Sequence, residues 1–428
     1  MNAISENKSK IRKNGSKALA ALLAALMLIP VLFLSSNAAA DSAGNKKSPE
    51  KDLSDSSVGS VYHVPAPESK TLPVQRGDLN AGELECMESA KSAVLIEAGS
   101  GQQLLSKNPD ERLPMASTTK TMTALVVLEN CSPDEVVTVP REAVGIEGSS
   151  LYLAYGERLT VRDLLYGLML RSGNDCAVAL AIHTAGSVPA FAELMNARAA
   201  QMGLVNTHFV TPNGLHDKEH YTSCYELALI GAEALKNPVF REIVSTEYYT
   251  FESSIRRLTV KNKNTMLWDY EGCIGIKTGY TSQAGRCLLF AAERDGMLLV
   301  GCVMNCRPMF DVAPVMLDYG FENYTMTTVV RRGDELARCE VGGEDIPLLA
   351  VWDVSVPMRK GASANTEVLP ELLPGLFVPI DEGQLIGKAE LRIGNAPVGS
   401  VMLAAGTGAG ARSFGFFFTS LLGLYSRG

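Results

Sequence analysis

The spacing of apolar residues changes along the chain, and each change predicts a different element. Residues 92–98 and 102–106 are short apolar runs on either side of a glycine turn, a pattern typical of a β-hairpin. Residues 117–128 then follow a helical spacing, and 161–170 and 175–185 are further apolar stretches with helical periodicity. The chain is therefore predicted to open with a hairpin and to continue through a group of helices.

Strand-like runs return at 274–279, 286–292 and 297–304, where glycine-containing turns separate short apolar segments. Strands at both ends with helices between them favour an α+β domain over residues 83–325, in which one sheet joins the two ends. Beyond it, short runs of Val, Leu and Ile alternate with Gly, Pro and Asp. Residues 326–405 are therefore predicted to form a small β-rich accessory domain.

Three segments outside these domains have patterns of their own. A basic stretch, the apolar run 18–34 and a short alanine segment predict a signal peptide over residues 1–40, although an uncleaved membrane helix has a similar pattern. Residues 41–82 are polar and lack apolar periodicity, which indicates a disordered linker. The C-terminal tail, 406–428, contains an apolar stretch at 414–425 that is too short to span a bilayer, and we expect the tail either to anchor in a membrane interface or to pack on its own domain. The protein is therefore expected to be exported and extracytoplasmic.

Composition and charge limit the partners and cofactors. A formal net charge of −8 over 428 residues argues against binding nucleic acid through phosphate neutralisation. The nine cysteines lie between Cys86 and Cys339 without a repeated spacing, so no disulfide framework is predicted, and Cys176 and Cys287 are expected to be core residues. No metal or cofactor is predicted, because the segment 216–220 has two histidines at a helical spacing but lacks the glutamate of the zinc-protease motif.

The candidate chemistry begins at Ser117. If a helix starts there, Lys120 lies on the same face one turn later, and its amine can approach the Ser117 hydroxyl. A serine hydroxyl is a weak nucleophile until a base takes its proton, and a buried lysine with a lowered pKa can act as that base. Ser-x-x-Lys alone is a common pattern, so this pair by itself predicts little.

Two further segments strengthen that interpretation. Ser172 and Asn174 lie between two predicted helices, where their side chains can line a cleft. Segment 277–279 (Lys-Thr-Gly) is predicted to lie in a strand, where its glycine allows close approach of an extended peptide and its lysine attracts a carboxylate. Ser-x-x-Lys, a Ser-x-Asn element and Lys-Thr-Gly together are the signature of penicillin-binding proteins and serine β-lactamases.

Around these motifs the sequence resembles the low-molecular-mass penicillin-binding proteins, the serine D-alanyl-D-alanine carboxypeptidases of bacterial cell walls (peptidase S11). The likeness covers roughly residues 83–325. It includes four segments whose sequences are similar to those usual in the family, namely 148–153, 164–175, 213–217 and 275–281. It implies a transpeptidase-like fold, an antiparallel sheet with a helical region, followed by a small all-β domain. The accessory domain and the apolar tail are similar, more loosely, to the C-terminal domain and the membrane-anchoring helix of that family.

The resemblance implies a role for each motif residue. The implied catalytic residues are Ser117, Lys120, Ser172 and Asn174, and the implied substrate-binding residues are Lys277, Thr278, Gly279 and Tyr280. Ser117 would attack the penultimate D-Ala carbonyl and Lys120 would take its proton. Ser172 would relay a proton, and Asn174 would hold either the substrate or Lys120.

The implied partner is a peptidoglycan stem peptide that ends in D-Ala-D-Ala, and β-lactams would acylate the same serine. Lys277 and Thr278 would bind its terminal carboxylate, while the backbone N–H groups of Ser117 and Tyr280 would form the oxyanion hole.

Two alternatives remain from the sequence. A serine β-lactamase shares all three motifs, but class A enzymes add a Glu-x-x-Leu-Asn stretch, whereas Glu193 and Asn196 here are closer together in a helical pattern. A non-catalytic peptidoglycan-binding protein is the other alternative. The intact motif residues argue against it.

Overall fold

In the computed structural model of this chain, the described residues are 70–76 and 84–410, apart from positions 342, 362, 375, 377, 378, 394 and 395. The predicted signal peptide, most of the predicted linker and the tail beyond residue 410 lie outside the described residues. In chain order the strands are β1 (Lys70–Arg76), β2 (Ser92–Glu97), β3 (Gln103–Lys107), β4 (Val136–Thr138), β5 (Arg158–Thr160), β6 (Tyr248–Glu252), β7 (Arg257–Lys261), β8 (Cys273–Thr281), β9 (Gly285–Arg294), β10 (Met297–Met304), β11 (Tyr324–Val330), β12 (Glu335–Val341), β13 (Glu344–Ala350), β14 (Val354–Arg359), β15 (Ser363–Leu372), β16 (Leu385–Ile393) and β17 (Ala396–Ala405). The helices are α1 (Lys120–Asn130), α2 (Val161–Tyr166), α3 (Asn174–Ala185), α4 (Val188–Gln201), α5 (Cys224–Leu235), α6 (Pro238–Ser245), α7 (Met266–Asp269) and α8 (Met309–Asn323).

One five-stranded antiparallel sheet, in the order β3-β2-β10-β9-β8, organises the first domain. The hairpin β2–β3 pairs with β10, so the predicted joining of the two ends in one sheet is confirmed. Strand β8, which carries the Lys-Thr-Gly segment, lies at the edge of this sheet. Its outer side is therefore free to pair with an extended peptide.

Both faces of this sheet are buried, and successive residues enter different cores. Val94 and Ile96 pack with the helices α1, α3 and α5, whereas Ala93 and Leu95 pack with α8 on the opposite face. Because neither face meets water, the strands appear in the sequence as continuous apolar runs rather than alternating ones. The nine cysteines are all free, and the predicted core residues Cys176 and Cys287 are buried in the helix-side core.

The stretch predicted as one helix over 161–170 is divided in two. Helix α2 ends at Tyr166, and the next five residues, Gly167–Arg171, form a wider π-helical turn. Such turns occur frequently at functional sites. Here the turn ends at Ser172, which has a left-handed backbone conformation with φ 67° and ψ 37°.

The second domain is built from strands, as predicted. Its main sheet has six strands in the order β1-β15-β16-β17-β13-β12, and β11 pairs with β14. The prediction of a structureless linker over 41–82 is wrong at β1, which pairs antiparallel with β15. Its proline is compatible with this position because β1 is an edge strand. Local pattern missed it, since the partner strand lies at the other end of the chain.

Among the described helices, no single one is long and apolar enough to cross a bilayer. Only α3 and α4 taken together reach that length and hydropathy, and a bend of 83° separates them.

Candidate active site

Ser117 lies in a tightly held turn. Residues Ala116–Thr119 form a 3-10 turn immediately before α1, and Ala116 has a positive φ of 50°. The Thr119 hydroxyl donates to the Ala116 carbonyl at 2.8 Å. Gly214 packs against the same carbonyl so closely that an added Cβ would lie 1.9 Å from its oxygen. The strained backbone before Ser117 is therefore supported from two sides.

Lys120 lies beside the Ser117 hydroxyl in a buried cage of oxygen atoms. Its Nζ is 3.0 Å from Ser117 Oγ, and it donates to Asn174 Oδ1 at 2.7 Å and to the Asn213 carbonyl at 2.6 Å. Burial lowers the pKa of Lys120 to about 7, and the nearby Lys263 ammonium also lowers it. A neutral amine that keeps the two bonds to Asn174 and Asn213 turns its lone pair toward the Ser117 hydroxyl. Lys120 is thus placed to act as a base at neutral pH.

The Ser-x-Asn element forms the opposite wall of the same site. Asn174 begins α3, and besides accepting from Lys120 it donates through Nδ2 to the Glu147 carbonyl. Ser172 is buried and lines the pocket in front of Ser117. The resemblance implied that Asn174 holds either the substrate or Lys120, and in this structure Asn174 holds Lys120.

Strand β8 forms the third side of the site. Gly279 runs so close to the Ser117 turn that an added Cβ would lie 3.1 Å from the Ser117 amide nitrogen. Thr278 and the exposed Tyr280 line the pocket. Lys277 is buried, and its Nζ donates to the Thr278 carbonyl at 2.9 Å. Burial, together with the neighbouring cations Lys120 and Lys263, holds the pKa of Lys277 well below its usual range.

The pocket in front of Ser117 has a volume of about 350 Å³. It is lined by Ser117, Ser149, Ser172, Lys263, Thr278, Gly279, Tyr280, Arg286, Met309 and Phe310. Two of these residues, Lys263 and Arg286, are cations that the sequence motifs do not include, and none is a carboxylate. Lys263 donates to Ser149 Oγ at 2.9 Å. The pocket is therefore positively charged and suited to an anionic ligand.

His220 supports the turn that carries Ser117 through a hydrogen bond to Thr119, and the sequence pattern did not predict this contact. Its Nδ1 accepts from the N–H groups of Val210 and Thr211, so Nε2 carries the proton and donates to Thr119 Oγ1 at 2.8 Å. Burial lowers the pKa of His220 to about 4, which keeps the ring neutral. The segment 216–220 is a loop rather than a helix, so its histidines lack the one-turn spacing of a zinc pair.

One group of side chains within the described ranges has ligand atoms close enough to hold a metal ion. It comprises Cys131, Glu135 and His183, whose atoms lie within 4.8 Å of one another. The Glu135 carboxylate already pairs with His183 at 3.2 Å. None of the three lines the pocket.

Family models of known sequences match both domains of the chain. The family model described as D-alanyl-D-alanine carboxypeptidase matches residues 81–307, and the model of the penicillin-binding protein 5 C-terminal domain matches 324–408. The D-alanyl-D-alanine carboxypeptidase DacF of Bacillus subtilis is 34% identical over 322 residues, which cover 72% of this chain and 82% of that protein. The D-alanyl-D-alanine carboxypeptidase DacA of Haemophilus influenzae is 33% identical over 349 residues, covering 77% and 88%.

Solved structures confirm the predicted fold class. Penicillin binding protein 5 from Haemophilus influenzae superposes with a TM-score of 0.64 at 32% identity, covering 75% of this chain and 97% of that one. A Streptomyces DD-transpeptidase superposes with a TM-score of 0.53 at 38% identity, covering 55% and 97%. With a family model that spans more than half of the chain and relatives that cover both domains, the protein belongs to the peptidase S11 family, the D-alanyl-D-alanine carboxypeptidases.

Proposed function

We propose that this enzyme removes the terminal D-alanine from peptidoglycan stem peptides ending in D-Ala-D-Ala, with Ser117 as the nucleophile. The observation that carries the proposal is the contact of Lys120 Nζ with Ser117 Oγ at 3.0 Å, made by a lysine whose burial lowers its pKa to about 7. The short distance and a lysine that is partly neutral at pH 7 together supply what a serine needs in order to act as a nucleophile.

The first step forms an ester and releases an amine. As Ser117 Oγ attacks the carbonyl carbon of the penultimate D-Ala, its proton passes to Lys120 Nζ. The N–H groups of Ser117 and Tyr280 stabilise the negative charge on the carbonyl oxygen, a contribution typically worth about 3 kcal/mol for each donor. The C–N bond then breaks, and the nitrogen of the departing D-alanine takes a proton, relayed by Ser172. Water hydrolyses the ester and regenerates Ser117.

The edge position of β8 supports the same substrate class. An extended peptide can add to this edge as a further strand, with its scissile carbonyl between the Ser117 turn and Gly279. β-Lactams present a comparable amide and acylate the same serine. The enzyme works outside the cytoplasm, in the cell wall or at the outer face of the cytoplasmic membrane, with residues 1–40 as the export signal and 406–428 as the membrane anchor.

The test uses the purified chain from residue 41 onward, a fluorescent penicillin and a peptide that ends in D-Ala-D-Ala. Stable labelling and D-alanine release are expected, and both are expected to disappear in Ser117→Ala. Ser245→Ala, which alters an exposed serine at the end of α6, is the matched control and keeps both activities. D-alanine release at the normal rate by Ser117→Ala would contradict the mechanism.

The same assay separates the alternatives. Rapid loss of the label with little D-alanine release would indicate a β-lactamase. This outcome is not expected, because Glu193 lies on the exposed surface of α4 and does not line the pocket. Failure to label at all would favour a non-catalytic binding protein. For the anchor, deletion of residues 413–428 followed by cell fractionation is decisive, since unchanged recovery in the membrane fraction would contradict it.

A further inference from the structure

A carboxypeptidase must recognise a free C-terminal carboxylate, and the motif lysine is poorly placed to do this alone. Lys277 is 1% exposed, does not line the pocket, and already donates to the Thr278 carbonyl. Among the described residues, the cations that do line the pocket are Lys263 and Arg286. A cation that contacts a carboxylate inside this pocket is therefore either Lys263 or Arg286.

Arg286 lies on the same side of the sheet as Thr278. It stands directly opposite Tyr280 in the antiparallel pair of β8 and β9, and paired residues project from the same face. Thr278 is two residues from Tyr280 on β8 and therefore shares that face. The Arg286 guanidinium carbon is 5.9 Å from the centre of the Tyr280 ring.

Arg286 is also available for an anion. It forms no ion pair within the part of the chain that the structure describes, and its one recorded side-chain contact there is with the Tyr280 ring. Lys263, in contrast, is held by Ser149 Oγ at 2.9 Å. A guanidinium presents two parallel N–H donors that match the two oxygens of a carboxylate, whereas an ammonium acts as a single point charge.

We propose that Arg286, with the Thr278 hydroxyl, binds the terminal carboxylate of the substrate and makes the enzyme select peptides with a free C-terminus. This inference rests on the proposed function. It assigns the task to a residue outside the three motifs, and it leaves the buried Lys277 to hold the backbone of β8 through its hydrogen bond to the Thr278 carbonyl.

The test compares two substrates, diacetyl-L-lysyl-D-alanyl-D-alanine and its C-terminal amide. The native enzyme is expected to prefer the acid. In Arg286→Gln, kcat/KM for the acid should fall about 10- to 100-fold, the range for losing a hydrogen bond to a charged group, while kcat/KM for the amide stays nearly unchanged. The preference for the acid therefore collapses. Retained amide hydrolysis shows at the same time that the variant is folded.

Three further variants control the comparison. Arg307→Gln removes an exposed arginine that does not line the pocket, and it should preserve the preference for the acid. Arg286→Lys keeps the charge without the two-pronged geometry and should restore the preference in part. Lys263→Gln tests the other wall cation and should leave the ratio of acid to amide close to that of the native enzyme.

Two results would overturn the assignment. One is an unchanged ratio of acid to amide in Arg286→Gln, and the other is a collapse of that ratio in Lys263→Gln instead. Failure of the proposed function gives a different result, because the native enzyme would then release neither D-alanine from the acid nor D-alaninamide from the amide.

Discussion

The two domains differ in what they bury. The described part of the first domain buries seven charged side chains, Glu97, Lys120, Glu157, Asp163, Asp175, Glu226 and Lys277, whereas Thr366 is the one buried polar side chain recorded for the described part of the β-rich domain. Burying a charge costs free energy unless other groups compensate it. The comparison indicates that the second domain is held by apolar packing, and that the first also retains costly buried charges, some of which hold loops while others build the site.

The buried charges are themselves of two kinds. The carboxylates are compensated by donors: Asp175, for example, accepts from the N–H groups of Leu151 and Leu153. Lys120 and Lys277 contact neutral oxygen atoms and form no ion pair within the described residues. Desolvation without a counter-charge lowers the pKa of both lysines. The carboxylates stabilise loops, and the two lysines are amines with a lowered pKa, of which Lys120 contacts the Ser117 hydroxyl.

The largest expected effect is at Lys120. Lys120→Met keeps the length of the side chain but removes the base, so the rate of acylation by a fluorescent penicillin should fall about 100- to 10,000-fold. Thermal unfolding should remain cooperative with only a moderate loss of stability, because the substitution removes a desolvated amine but leaves the buried oxygen atoms of Asn174 and Asn213 without that donor. Acylation within a few-fold of the native rate would show that another group activates Ser117.

A cavity in the second domain should have the reverse effect. Leu403 is fully buried in the core of the β-rich domain, and Leu403→Ala should lower the free energy of unfolding of that domain by about 2–5 kcal/mol. Penicillin acylation should stay at the native rate, because no residue of this domain lines the pocket. Hydrogen exchange of the β16 and β17 amides measures the stability. A parallel loss of acylation would contradict the independence of the two domains.

The pH dependence of acylation tests whether the buried Lys120 has the lowered pKa that distinguishes it from the compensated carboxylates. Below pH 7 Lys120 is an ammonium and cannot accept a proton, so the rate should rise about tenfold per pH unit and level off above about pH 7. Lys263→Gln removes a neighbouring cation that lowers the Lys120 pKa, and the plateau should then move to higher pH. Lys261→Gln is the matched control, since that ammonium lies over the rings of Tyr248 and Trp268, and its profile should not move. A plateau that stays in place in Lys263→Gln would contradict this coupling.

The smallest expected effect concerns the exception in the second domain. Thr366 is fully buried, and its hydroxyl oxygen has no hydrogen-bond partner among the described residues. Thr366→Val should therefore raise the free energy of unfolding by about 1–3 kcal/mol, the typical cost of an unsatisfied buried polar group. The hydroxyl of Thr121 in α1 is in the same state, so Thr121→Val provides the matched change in the first domain. Denaturant unfolding measures both, and destabilisation by Thr366→Val would show that its hydroxyl has a partner.

Local pattern predicted the parts of the fold and site that depend on neighbouring residues. The approach of Lys120 to Ser117 follows from three positions of separation, and the hairpin β2–β3 follows from two apolar runs around a glycine turn. Strand β1 was missed because its partner β15 comes almost three hundred residues later.

The remaining residues of the pocket were missed for the same reason. Arg286 and His220 carry no local signal, since the first reaches the pocket through strand pairing and the second through a hydrogen bond to Thr119. Both arrangements depend on tertiary packing, and no short window of the sequence contains it.

The pairing of β1 with β15 also constrains the order of events during synthesis. Strand β1 leaves the ribosome before the whole first domain, whereas the strands β15 to β17 that complete its sheet are made last. The six-stranded sheet can therefore close only after nearly the entire chain has been made. Contacts between such distant segments form slowly. The domain that contains the nucleophile can thus fold while the chain is still emerging, and the β-rich domain is completed last.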